Sequence, residues 1–406
     1  MKSKKLLLLT QKIGSGITPR GGSSVYIGAG TYLIRSQNIY NDHFEKDGLV
    51  CITDETADKM KTVEVLENDV LINITGDSVA RTFIISKEFL PARVNQHVCI
   101  LRTTSELNPY YLYYFLIDKK TQNYLLSMAE SGGTRNALTK KMLEDLEIEY
   151  PDIETQVKLA FHLNVIKTKI NLLQKQNHLL ETIIKSIFKS WFIDFDGQIE
   201  FVDSELGQIP KGWNVQDIIE ICKEITDGSH TSPKEFPSGT KRIASVKDMR
   251  EYDIDFSSCK PISEQDYFQL IKNGCKPQRG DILFSKDGTM GITHVFNGID
   301  NLVLLSSIAI LRPKISSYFI YCYLRQKNIQ DILIGGHSSG SALPRIVLKD
   351  LKKLRILVPE ADMIKKFNMV IEPIFNQILE NISSINTITK IHDSLLPKLI
   401  SGEIQV

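Results

Sequence analysis

The residue groupings in this chain that could carry out chemistry are all incomplete by spacing. No G-x-x-x-x-G-K-[ST] loop is present to cradle a nucleotide triphosphate. Gly14-Ser15-Gly16 and Gly28-Ala29-Gly30 do not open a dinucleotide-binding fingerprint and read as turns. Asn108-Pro109-Tyr110-Tyr111 lacks the second proline of an N-P-P-aromatic loop that grips an amino group. It reads as a helix start, with Asn108 as cap and Pro109 at the first position. Pro151-Asp152 starts like a nuclease motif, but no acidic-x-Lys element follows at short range. Cys51, Cys99, Cys222, Cys259, Cys275 and Cys322 include no C-x-x-C pair, which fits neither a disulfide framework nor a zinc site. They read as buried thiols in a reducing compartment. No serine or cysteine nucleophile has a convincing base. These absences favour a binding protein over an enzyme, with no catalytic and no metal-ligating residues.

The elements that would position a binding surface come next. At about 150 residues per domain, 406 residues make two or three domains. Hydrophobic residues at 42% and charged residues at 24% describe a globular chain rather than a disordered one. Lys plus Arg is 49 against 48 Asp plus Glu, a net charge of +1. That balance argues against coating nucleic acid by bulk charge, though not against a local basic groove. The apolar runs are too short to span a membrane. Leu6 to Leu9 is likewise too short for a secretory signal and reads as the first strand of a cytoplasmic protein.

The chain repeats itself at an offset of 208. Between Leu138–Pro151 and Ile346–Pro359, Lys141/Lys349, Leu143/Leu351, Leu146/Leu354, Ile148/Ile356 and Pro151/Pro359 are identical. Upstream, Asp69-Val70-Leu71-Ile72 pairs with Asp281-Ile282-Leu283-Phe284, and Ile52-Thr53-Asp54-Glu55 with Ile262-Ser263-Glu264-Gln265. Downstream, Leu159, Leu163, Ile166, Ile170, Leu173, Asn177, Leu180, Ile184, Ile187 and Trp191 step by alternating fours and threes, a heptad seam. The same offset yields Phe367, Ile371, Ile374, Ile378, Asn381, Ile385, Ile388, His392, Leu395 and Leu399. Two such seams should pack on each other, and spacing alone does not say whether parallel or antiparallel. Asn177 and Asn381 suit register-setting polar seam positions. His392 lacks a second ligand at i+3 or i+4 and reads as a packing histidine. Pro373 should kink the second helix or mark its start near residue 372.

About 150 residues precede each helix. Strand-like runs lie at Val70–Ile74, Thr82–Ser86, Val98–Arg102, Asp281–Ser285 and Ser307–Leu311, with short helices at Asn108–Asp118 and Ile315–Arg325. Ser131-Gly132-Gly133-Thr134 and Gly335-Gly336-His337-Ser338-Ser339-Gly340 read as loops, and Gly207–Trp213 as the linker into the second half. The expected plan is domain (1–150), helix (151–196), domain (197–358), helix (359–406).

In this order the motifs resemble the specificity subunit of type I restriction-modification systems, over nearly the whole chain. Ser186-Ile187-Phe188-Lys189-Ser190-Trp191-Phe192-Ile193-Asp194-Phe195-Asp196 closes the central helix. Ile209-Pro210-Lys211-Gly212-Trp213 opens the second domain, and Leu395-Leu396-Pro397-Lys398-Leu399-Ile400-Ser401-Gly402-Glu403-Ile404 closes the chain. Asn95-Gln96-His97 and Asp227-Gly228-Ser229-His230 are also similar to family signatures. The first domain departs from the pattern by lacking a Leu-Pro-x-Gly-Trp opening before Gly16-Ile17-Thr18-Pro19.

The resemblance implies an α+β fold: two similar mixed target-recognition domains joined by two long antiparallel coiled-coil helices, with an internal pseudo-twofold repeat. It implies a non-catalytic subunit that recognises a bipartite target in double-stranded DNA. The implied partners are two methyltransferase subunits and restriction-translocase subunits, which would hold S-adenosylmethionine, ATP and Mg; this chain would hold no cofactor. Residues 155–192 as a straight helix span about 57 Å, an upper bound of roughly 17 base pairs between domain anchors. Base readout needs Arg, Lys, Asn, Gln, Ser and Thr on groove-facing loops. The candidates are Arg35, Gln37, Asn38, Asn73, Thr75, Arg81 and Arg135 in the first domain, and Lys247, Arg250, Ser285, Lys286, Thr289, His337 and Ser338 in the second. The alternatives are a stand-alone restriction enzyme or methyltransferase, a coiled-coil interaction scaffold, and an orphan or phase-variable specificity subunit.

Overall fold

A computed structural model describes residues 1–130, 136–335 and 345–405. It divides into two compact units, Met1–Leu172 with Ser384–Val406, and Leu173–Ser383.

In the first unit an antiparallel four-stranded sheet runs in the order Thr10–Ser15, Val98–Thr103, Val70–Asn73, Thr82–Ile84. Its residues alternate between two cores, as the period of two in a strand dictates. Val70, Ile72, Cys99 and Leu101 pack with the helices, Pro109–Ile117 among them, while Leu71, Val98 and Ile100 face a second sheet. Burial on both faces explains why these strands are apolar throughout rather than alternating. The second sheet is five-stranded, and its Thr31–Ile34 and Ala92–Val94 strands pair in parallel. A two-stranded ribbon joins Lys2–Lys5 to Glu147–Tyr150.

The second unit repeats the four-stranded order of this plan, beside a second sheet of three strands rather than five. Its four-stranded sheet has the order Cys222–Asp227, Ile308–Pro313, Ile282–Ser285, Thr293–Val295. Ile282 and Phe284 face one core and Leu283 the other. Its second sheet holds the parallel pair Lys241–Ala244 and Leu302–Leu304, and Asn214–Asp217 pairs with Arg355–Val358. Local chemistry recurs too. Thr53 and Ser263 cap equivalent helices by accepting from Thr56 N at 3.2 Å and Asp266 N at 3.1 Å. The buried carboxylates of Asp69 and Asp281 each take a two-pronged guanidinium, Arg102 at 2.8 Å and Arg312 at 3.2 Å.

The central helix runs Ile153–Phe192 and the C-terminal helix Ala361–Ile400. Within the second unit, Asn381 Nδ2 donates to Asn177 Oδ1 at 2.7 Å, while Phe367 packs against Phe188, Trp191 and Phe192. The two segments therefore run antiparallel there. Within the first unit, Leu159 and Leu163 share a core with Leu396, Leu399 and Ile400. Ile166, Ile170, Leu173, Leu180, Ile184 and Ile187 are buried or half-buried, as are Ile371, Ile374, Ile378, Ile385, Ile388, His392 and Leu395. The His392 ring lies tilted beside that of Tyr114, with ring centroids 6.3 Å apart.

Several expectations need correcting. Leu6–Leu9 is a 3-10 turn, and the strand is Lys2–Lys5. Three residues per turn bring Leu6 and Leu9 to one buried side and leave Leu7 and Leu8 exposed. Gly14 and Ser15 lie in a strand rather than a turn. Gly207–Pro210 is one arm of a hairpin with Phe201–Ser204, and Trp213 is buried against Phe192 and Phe195; apolar anchoring at this point replaces a free linker. The C-terminal helix begins at Ala361 and continues through Pro373, whose ring lies on an exposed face.

Candidate nucleic-acid interface

In the first unit three loops meet at one edge of the sheets. Asn73 Nδ2 donates to Ser36 O at 2.8 Å, joining the end of the Val70–Asn73 strand to the 3-10 turn Ser36–Asn38. Thr75 Oγ1 lies 2.6 Å from His97 Nδ1, and Gln96 Nε2 lies 3.0 Å from His97 Nε2. The Arg81 guanidinium sits 4.4 Å over the Tyr40 ring. Arg35 donates to Gly48 O and lies 5.6 Å from the centre of the Tyr26 ring. Arg35, Gln37, Thr75 and Arg81 are thus brought together on a half-exposed polar edge.

The second unit builds the same edge from different residues. The turn Val246–Asp248 is held by Val246 N donating to Ser307 Oγ at 3.1 Å. Lys247 and Thr289 are exposed. Arg250 is exposed as well and donates to Asp255 Oδ2 at 2.9 Å. Its carbonyl meets the buried His294 Nε2. Burial holds that imidazole down at about 4, so it stays neutral at ordinary pH.

Four candidates turn inward. Asn38 is fully buried, accepts from Arg35 N at 3.0 Å and donates to Glu45 O at 2.9 Å. Asn73 and Ser285 are also fully buried; the Ser285 hydroxyl donates to Thr289 O at 2.7 Å and accepts from Ile292 N at 2.8 Å. Lys286 is buried in an ion pair with Asp227 at 2.5 Å. The Asn38 amide, Asn73 Nδ2 and the Ser285 hydroxyl brace backbone groups and Lys286 braces the Asp227 carboxylate, so turning them to a base edge would break those bonds; Asn73 Oδ1 is buried with no protein partner. Arg135, His337 and Ser338 lie outside the described residues. Gln96, His97 and His230 were not among the candidates, yet they stand beside them, with the His230 side chain 76% exposed. Their signal was the pair of signature strings that contain them.

Both edges suit hydrogen bonding to groove edges and phosphates more than bond making. All six cysteines are buried and free, and burial pushes the Cys99, Cys222 and Cys259 thiols up to about 12. Among the described residues no group of three His, Cys, Asp or Glu is arranged to hold a metal ion, and no helix is long and apolar enough to cross a membrane.

One half-buried charge on the central helix bears on stability. Lys167 Nζ donates to Tyr113 Oη at 2.6 Å and faces the Phe83 ring at 5.3 Å. Burial lowers it from 10.5 to about 8, against a small opposing pull from Asp42. Between those values the unfolded chain holds a proton that the folded chain has lost. Its contribution is therefore present above 10.5 and lost as pH falls through about 8. Lys167→Met is expected to raise stability at pH 7 by about 2 kcal/mol and to flatten the rise with pH. Denaturant melts of both proteins across that range check this; an unchanged pH slope contradicts it.

The family model for the type I restriction modification DNA specificity domain matches residues 21–182 and again 210–390. The specificity subunit of the type I restriction enzyme MjaIX from Methanocaldococcus jannaschii is 32% identical over 312 residues, covering 73% of this chain and 69% of that protein. The HindI specificity subunit from Haemophilus influenzae is 22% identical over 389 residues, covering 81% and 83%. The crystal structure of the type I restriction-modification S subunit from M. genitalium has the same fold: TM-score 0.62, 15% identity, 98% of this chain and 95% of that one.

Proposed function

This chain belongs to the type I restriction-modification DNA specificity subunits, a non-catalytic family, and from that premise we propose that its two polar edges each read one half of a bipartite duplex target. The observation that carries this reading is the duplication itself. One loop cluster, beside one four-stranded sheet order, occurs twice with different side chains: half-buried Arg35 and Arg81 with exposed Gln37 in one copy, exposed Lys247, Arg250 and Thr289 in the other. Equal scaffolds with unequal side chains suit two unequal half-sites. The long helices set the gap between half-sites and dock two methyltransferase subunits, with restriction-translocase subunits completing the enzyme. Adenine N6 methylation from S-adenosylmethionine, and ATP- and Mg-dependent translocation and cleavage, belong to those partners in a cytoplasmic complex.

Co-expression with the methyltransferase partner, followed by genome-wide mapping of modified adenines, tests the proposal. The expected product is methylation at a split sequence with a constant gap. Methylation at a contiguous sequence, or the same pattern without this chain, overturns it.

A further inference from the structure

Each reading edge is tied to the central helix by a part-buried polar link through a tyrosine hydroxyl. In the first unit, Lys167 donates to Tyr113 Oη at 2.6 Å, and that hydroxyl donates to Asn41 O. Asn41 Oδ1 then accepts from Thr82 N at 2.8 Å, and the neighbouring Tyr40 ring carries Arg81 at 4.4 Å. In the second unit, Tyr252 Oη donates to Glu181 Oε2 at 2.7 Å, two residues beyond Arg250. Glu181 is 5% exposed and also receives Arg325, which donates to Tyr321 Oη, and Lys185 at 3.3 Å. Burial works to raise the Glu181 carboxyl, but Arg325, Tyr252 and Lys185 together hold it below the usual range. Tyr113 and Tyr321 are equivalent at the repeat offset of 208, so the same corner is used twice. The chemistry at that corner is not copied: one unit places a half-buried cation there and the other a buried anion.

A buried or half-buried ion stabilises little compared with an apolar replacement, and in some proteins its use is to specify geometry. We propose that Lys167, through Tyr113, and Glu181, through Tyr252, are positioning residues that set the Asn41 loop of the first edge and the Arg250 loop of the second. This rests on the reading of the two edges as half-site readers. Each link serves its own edge, so each is removable without disturbing the other.

The test uses the chain in complex with its methyltransferase partner. Methylation is measured on the cognate target and on targets changed singly in either half. Tyr252→Phe, which removes only the hydroxyl, is expected to lower discrimination in one half by about tenfold and leave the other half unchanged. Tyr113→Phe is expected to do the converse. Glu181→Gln keeps an acceptor for Tyr252 and should retain discrimination that Glu181→Leu loses. A uniform fall on all targets, or unchanged discrimination in Tyr252→Phe and Tyr113→Phe chains that melt as folded proteins, overturns the positioning role. Absence of any split target for the unaltered complex instead overturns the half-site reading on which it stands.

Discussion

Replacing Gly16 or Gly228 by alanine is expected to destabilise the chain by about 3 kcal/mol or more and to abolish methylation directed by it. A Cβ at Gly16 would lie 2.1 Å from Val94 O, and one at Gly228 2.2 Å from Leu304 O. Backbone carbonyls in a paired strand cannot step aside as a flexible side chain can. Both glycines end the first strand of the four-stranded sheet and cross to the strand carrying the parallel pair. The next residues, Ile17 N and Ser229 N, donate to Val94 O at 3.1 Å and Leu304 O at 2.8 Å. The crossing lies beside Asn95-Gln96-His97 in one unit and Asp227–Lys286 in the other, so damage falls on the two polar edges. Gly14→Ala is the control: its Cβ would meet nothing closer than Lys12 Cε at 3.8 Å, and a change of under about 1 kcal/mol is expected. Thermal unfolding of the three variants measures the difference. Equal melting of Gly14→Ala and Gly16→Ala contradicts the packing argument.

The second large effect concerns the gap between half-sites. Removing seven residues from the central helix and the facing seven from the C-terminal helix shortens each by about 10.5 Å. Removing 170–176 and 382–388 keeps Asn177 opposite Asn381, so the hydrogen bond between them still sets register. The methylated target should then carry a gap shorter by about three base pairs, or the modification should disappear. Adenine mapping of the deletion variant distinguishes these results from an unchanged gap, which contradicts the helices as the spacer.

Much of the scaffold was legible because it follows from short-range rules. Asn108-Pro109 starts its helix as written, with Asn108 Oδ1 accepting from Tyr110 N at 3.0 Å and Tyr111 N at 3.1 Å. The paired strings at Asp69 and Asp281 begin equivalent strands, and every seam residue is buried or half-buried. The two polar edges were legible only in outline. Residue type picked out Asn38, Asn73, Ser285 and Lys286 as readily as Gln37 and Lys247. An amide, hydroxyl or ammonium that could meet a base meets a backbone or carboxylate equally well. Only burial separates the two uses.

The sequence by itself determined that the chain is doubled, that each half ends in a long amphipathic helix, and that no recognisable reactive constellation is present. Periodicity, repeat offset and motif spacing are local along the chain and survive without coordinates. The tertiary structure decided that Asn177 meets Asn381, that Leu6–Leu9 coils instead of extending, and which polar side chains face outward. It also placed Lys167 half-buried and Glu181 buried, each bonded to a tyrosine hydroxyl from a distant segment, though both read as ordinary helix charges in the sequence. Those outcomes depend on which distant segments arrive beside each residue, and desolvation, which decides whether a polar group braces the fold or greets a ligand, is a property of those neighbours.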